Sequence, residues 1–232
     1  MSSSLLAKSA LGVAGLGTAT AGTVYFGRDL IGGESRKEKT SIRKLIQSSN
    51  PHKRLISGNN ASDQNWKDAW KRYREGHLNK DSDSWNLEGW TRPTGSIGNS
   101  DNASTHFISA CSSKADIEVE NDKDPLYVQV VSYCTRDALI SDLIKERNPN
   151  KSLLSSESGD EGQWKTVWTS YKDSNPNKEQ NGDKWKLSDW NGKQGEDGAP
   201  QSFKDECKKR SGTKTVEARS DDYSDTLKWC TK

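Results

Sequence analysis

From residue 38 onward the apolar positions of this chain fall in short clusters separated by long polar stretches. Ile42, Leu45 and Ile46 stand three and four apart, the spacing of one helix face. The pair Asn50-Pro51 ends that helix, because the residue before a proline is pushed out of the α region. Asp63 then marks a helix start ahead of Trp66, Trp70 and Tyr73, whose i, i+4, i+7 spacing gives an aromatic face. A Lys/Asp/Asn-rich loop leads to Trp85-x-Leu87-x-x-Trp90, one short apolar turn. Phe107-x-x-x-Cys111 is again helical spacing, and Ile117 to Glu120 alternates as a short strand does. Asp124-Pro125 supplies an N-cap and a first-turn proline for a last helix carrying Tyr127, Val131 and Cys134.

The same series is then written a second time. Residues 42–73 align without a gap on residues 140–171 at an offset of 98, with 12 of 32 positions identical. The aromatic face returns as Trp164, Trp168 and Tyr171, and the match continues through Trp185, Trp190, Phe203, Cys207, Tyr223 and Cys230. Ser220-Asp221 opens the last helix of this copy, and Thr215 to Arg219 alternates like Ile117 to Glu120, so the two stretches are expected to form a short strand pair. The intervening loops differ by two and four residues, as surface connections tolerate. An internal repeat sets the architecture: a tail (1–8), an apolar run (9–27), a linker (28–37) and two tandem homologous units, 38–135 and 136–232. The expected fold is mainly α, with a membrane-spanning N-terminal helix, two small helical units closed by one disulfide each, and minor β pairs. A helix starting at Asp124 and running through Cys134 into Leu139–Lys145 would join the units rigidly.

Composition changes what holds such units together. Only 30% of the 232 residues are hydrophobic and the mean hydropathy is −1.01, yet there are nine tryptophans. Burying one removes roughly 150–250 Å² from water, an upper bound of about 4–6 kcal/mol. Trp66, Trp70, Tyr73, Phe107 and Tyr127, with Trp164, Trp168, Tyr171, Phe203 and Tyr223, are therefore expected to form the cores. Trp85, Trp90, Trp185 and Trp190 lie outside the long helices and are candidates for stacking on a sugar or peptide.

The four cysteines fall two per unit, 23 positions apart each time, which pairs Cys111 with Cys134 and Cys207 with Cys230. Persistent disulfides need an oxidising compartment; the competing reading is buried reduced thiols. No C-x-x-C is present, and His52, His77 and His106 have no histidine counterparts, so no metal or cofactor is expected. Asp81-x-Asp83 opens like a calcium loop, but Trp85 and Arg92 occupy later ligand positions. There is no P-loop, nucleophile elbow or H-E-x-x-H, and no enzyme is expected. With 35 basic and 33 acidic residues well mixed, the chain lacks a nucleic-acid footprint.

Ser9 to Gly27 is an uncharged run of 19 residues, about 28 Å long as a helix and close to the bilayer hydrocarbon thickness. Ala19-Thr20-Ala21 also offers a signal-peptidase site, so cleavage competes with anchoring. Arg28, Arg36, Lys37, Lys39, Arg43 and Lys44 favour a cytoplasmic C-terminal side, whereas the repeated cysteines favour an outward one. The cysteines are given more weight, because the basic cluster is diluted by Asp29, Glu34 and Glu38.

The opening Met1-Ser2-Ser3-Ser4-Leu5-Leu6-Ala7-Lys8, the Gly/Ala/Thr run from Gly12 to Gly27 and the closing Tyr223-x-x-x-Leu227-Lys228-Trp229-Cys230-Thr231 resemble the uncharacterised paralogous proteins of haemotropic mycoplasmas. The resemblance implies a membrane-associated, surface-displayed protein of an antigenically variable set, meeting a host surface molecule or antibody. It transfers no catalytic residue. A carbohydrate- or peptide-binding module and an intracellular protein with reduced thiols are the alternatives; the oligomeric state is left open.

Overall fold

A computed structural model describes residues 38–155 and 159–232 of the chain. The expected tail, membrane span and linker at residues 1–37 lie outside the described residues. Among the described residues no helix is long and apolar enough to cross a membrane. Residues 38–232 form one contiguous unit.

The two Asn-Pro pairs act as matched helix stops. Helix α1 (Ile42–Ser49) ends on Asn50, with φ −132° and ψ 67°, and α5 (Ile140–Arg147) ends on Asn148, with φ −133° and ψ 71°. Both asparagines leave the α region as their following prolines require. Their side chains then find equivalent partners: Asn50 Nδ2 donates to the Tyr127 hydroxyl at 2.6 Å, and Asn148 Nδ2 to the Tyr223 hydroxyl at 2.7 Å.

The aromatic helices follow, α2 (Gln64–Gly76) and α6 (Glu161–Ser174). Asp63 caps α2 by accepting from the Asn65 amide, the usual role of an N-cap carboxylate. Asp160 stands at the same place before α6 but gives its carboxylate to the Ser155 amide and the Lys232 ammonium instead. Next come the cysteine helices α3 (Thr105–Ala115) and α8 (Gln201–Ser211), and the closing helices α4 (Pro125–Cys134) and α9 (Asp222–Trp229). In the second copy the short turn at Trp190 becomes a one-turn helix, α7 (Trp190–Lys193). Cys111–Cys134 ties α3 to the end of α4, and Cys207–Cys230 ties α8 to the residue after α9. The Cα atoms are 5.5 Å apart in both bridges, within the common range. The pairing expected from the spacing is the pairing found.

Two expectations are corrected here. The helix from Asp124 does not run on past Cys134: Thr135–Asp137 form a strand, β4, antiparallel to β2 (Lys53–Leu55) in the first repeat. Thr135 is β-branched and its hydroxyl bonds back to Val131 O at 2.6 Å, so helix and strand meet abruptly. The strand pair between residues 117–120 and 215–219 does not form either. Glu118–Val119 (β3) pairs within its own repeat with Thr40–Ser41 (β1), and in the second copy the described residues show a bridge, Leu139 with Lys214, at that place and another, Leu153 with Thr231, where the first has β2 with β4.

Each repeat has its own core, one around Tyr73 and Phe107 and the other around Tyr171 and Phe203. The seam between them runs through Ala138, which is fully buried. Its N–H donates to His52 O and its carbonyl accepts from the Thr215 N–H, both at 2.8 Å. Arg54 forks onto Glu146 through two 2.7 Å bonds, and Asp137 receives Lys53 at 2.6 Å and Lys214 at 3.3 Å.

Candidate functional site

The centre of each repeat is a tyrosine enclosed by aromatic rings. Tyr73 lies 5.9, 4.9, 5.9 and 5.0 Å from Trp70, Trp85, Trp90 and Phe107. Tyr171 lies 5.8, 4.9, 5.9 and 5.0 Å from Trp168, Trp185, Trp190 and Phe203. Each hydroxyl donates to a buried carboxylate, Tyr73 to Asp83 and Tyr171 to Asp183, the latter at 2.6 Å. The carboxylates reach this position because the next loop presents amides to them. Asp83 accepts from the Trp85 and Leu87 amides at 2.7 and 3.0 Å. Asp183 accepts from the Leu187 amide at 3.1 Å, while the Trp185 amide donates to the Tyr171 hydroxyl at 2.9 Å. That wrap places Asn86 and Lys186 in the left-handed region, at φ 52° and 55°.

The electrostatics follow from burial and these bonds. Burial first, and the bonded carboxylate second, push both tyrosine hydroxyls well above the ordinary phenol value. Burial raises the pKa of Asp83 as well, but the Tyr73 hydroxyl and the two amides outweigh it and hold that pKa below the usual carboxylate range. These groups are committed to fixing the fold.

Histidine 77 belongs to the same construction. Its Nδ1 lies 2.7 Å from Tyr73 O, and its Nε2 accepts the Ser84 amide at 3.0 Å. With Nε2 accepting an amide, Nδ1 is the ring's donor to the carbonyl. The second repeat performs both bonds with Asn175: Nδ2 donates to Tyr171 O, and Oδ1 accepts the Lys184 amide, each at 2.7 Å. Sequence reading missed both residues. The signal for them is the offset of 98, which aligns His77 with Asn175 although the two residues differ in kind.

The candidate stacking tryptophans do not form two equivalent exposed pairs. Trp185 and Trp190 are 7% and 1% exposed, so neither offers a face to a ligand; this corrects their assignment. Trp85 and Trp90 are half-buried. The Lys114 ammonium sits 5.2 Å over the Trp85 ring, as the Arg210 guanidinium sits 4.7 Å over Trp185, and Trp85 Nε1 is engaged by Gln129 at 2.7 Å. Of the expected core set, Trp66, Tyr73, Phe107, Tyr127, Trp164, Trp168, Tyr171 and Phe203 are buried. Trp70 and Tyr223 are only partly covered, the latter beneath Arg147 at 5.7 Å.

Two grooves occupy equivalent places beside the disulfides. The first, of about 250 Å³, is bounded by Leu55, Ile56, Trp66, Ile108 and the Cys111–Cys134 bridge, with Arg43 at its rim. The second, of about 280 Å³, is bounded by Leu153, Leu154, Trp164, Lys204, Lys208 and the Cys207–Cys230 bridge. Ile108 and Ser112 in the first groove thus become Lys204 and Lys208 in the second. Among the described residues, no cluster of three His, Cys, Asp or Glu side chains is placed to hold a metal ion. No protein-family model, curated protein or solved structure matches the chain.

Proposed function

We propose that this protein is a membrane-tethered surface protein that presents two Trp-rich, disulfide-closed helical repeats for host interaction or antigenic display, without catalysis. The uncharged run Ser9–Gly27 would serve as the tether. The observation that carries the reading is the pair of buried disulfides, one in each repeat at the same place. Such bridges persist where the surroundings are oxidising, which favours display outside the cytosol over residence among reduced thiols. The buried polar groups support a structural role, because Asp83, Asp183, His77 and Asn175 are each taken up by fixed bonds to tyrosine or backbone. The resemblance to paralogous membrane-associated proteins of haemotropic mycoplasmas agrees with the same reading.

Protease treatment of intact cells, followed by a non-reducing mass map, tests it. Release of fragments from residues 38–232, with Cys111 linked to Cys134 and Cys207 to Cys230, is the expected result. Full protection of that region on intact cells overturns the display reading.

A further inference from the structure

The groove of the second repeat carries a charge pattern that the shared scaffold does not require. Lys204 and Lys208 stand one turn apart on α8 and face it together. The Lys204 side chain is only 12% exposed, yet its sole carboxylate neighbour among the described residues, Glu161, is 3.4 Å away and 75% exposed. A charge-assisted bond closes to about 2.7–2.9 Å when it is well made, so the pairing with Glu161 is loose, and the ammonium rests 5.6 Å over the Trp164 ring. Lys208 is exposed and has no carboxylate within ion-pair distance among the described residues. Beside the two lysines the groove is lined by the apolar Leu153, Leu154, Trp164 and the disulfide, with Ser155 and Ser211 as its other polar residues. The first groove shows what the scaffold needs without these charges. It holds Ile108 and Ser112 instead, and its Arg43 is already drawn to Asp116 at 2.8 Å.

We infer that the second groove is a binding site for a small aliphatic monocarboxylate, its chain lying on Leu153, Leu154 and Trp164 and its head group between Lys204 and Lys208. At about 280 Å³ the groove is just below the range of ligand pockets, which starts near 300 Å³, so the ligand is a short chain. The first groove, of about 250 Å³, lacks the paired cations, which gives one site per chain. The inference does not depend on where the protein is displayed.

Calorimetric titration of the purified full-length chain with octanoate and with 1-octanol tests the assignment. Octanoate should bind with a stoichiometry of one, and 1-octanol more weakly by about tenfold, the worth of one charge-assisted bond. Lys208→Gln, an exposed change that leaves the core untouched, should weaken octanoate by about the same factor. Lys204→Met keeps the aliphatic cover on Trp164 and should do likewise, whereas Lys165→Met, on an exposed lysine outside the groove, should not. Equal binding of octanoate and 1-octanol, two equivalent sites, affinity indifferent to both groove lysines, or no binding at millimolar octanoate would each overturn it.

Discussion

His77 and Asn175 occupy corresponding positions and make the same two bonds. Each donates to the carbonyl of the central tyrosine one turn earlier and accepts the amide that opens the next loop. A ring and an amide are interchangeable for these two bonds because each needs one donor and one acceptor at fixed separation; His77 Nε2 lies in addition 2.6 Å from Ser84 Oγ. The exchange predicts a specific result. His77→Asn should retain stability, whereas His77→Ala leaves Tyr73 O and the Ser84 amide without their partner and should cost about 1–3 kcal/mol. Urea denaturation of the two variants separates these outcomes.

Acid should weaken the first repeat through Asp83. A carboxylate whose folded pKa is depressed contributes stability that is complete above its unfolded value, about 3.9, and is lost as pH falls through the lower folded value. Tyr73, Trp85 and Leu87 depress Asp83 in this sense. Asp142, against whose charge burial also works, is held down by Arg136 and by the Leu139 amide. Denaturation midpoints should therefore be flat near neutrality and drop below about pH 4. Asp83→Asn should lower the neutral-pH midpoint and shrink the acid drop; an unchanged pH profile would count against the role given to Asp83.

Lys186 is a misfit at its backbone position. The wrap around Asp183 holds it at φ 55°, where the first repeat places Asn86 at φ 52°. Left-handed backbone costs an ordinary L-residue roughly 1–2 kcal/mol, and asparagine tolerates it better. Lys186→Asn should raise stability by about 0.5–1 kcal/mol, read as a higher thermal midpoint.

The two copies of the last tryptophan should differ in weight. Trp190 is fully enclosed while Trp90 is partly open. Trp190→Ala should cost about 3–5 kcal/mol, the usual range for emptying an aromatic core site, and Trp90→Ala clearly less. Equal losses would show that the exposure difference is without consequence.

Each disulfide closes a sequence separation of 23 residues, which is worth about 3 kcal/mol in the chain-entropy account. The double change Cys207→Ala with Cys230→Ala should lower stability by that order. The effect should fall mainly on the second repeat, as amide hydrogen exchange resolved by residue will report.

The spacing of Trp66, Trp70 and Tyr73 made the aromatic helix legible, because one period dominates that segment. The disulfides were legible because Cys111, Cys134, Cys207 and Cys230 repeat their separation. What escaped was everything set by contacts distant in sequence. The strand at Thr135–Asp137 exists because β2 offers a partner some 80 residues earlier, as in the pairing of Lys53 with Asp137, and Tyr133 through Asp137 alone reads equally well as helix. Trp185 and Trp190 looked like loop aromatics until the fold closed over them. In the sequence Asp83 reads only as a poor calcium ligand, because its true partner, Tyr73, contributes a hydroxyl that no local motif announces.

The strand that leaves the first repeat is woven into that repeat before the chain departs, and the next residue, Ala138, is anchored on both sides. The crossing therefore has no slack. A nicking enzyme hunting for an easy cut between the halves must first peel β4 from β2, so the pair should resist separation and survive limited digestion as one piece.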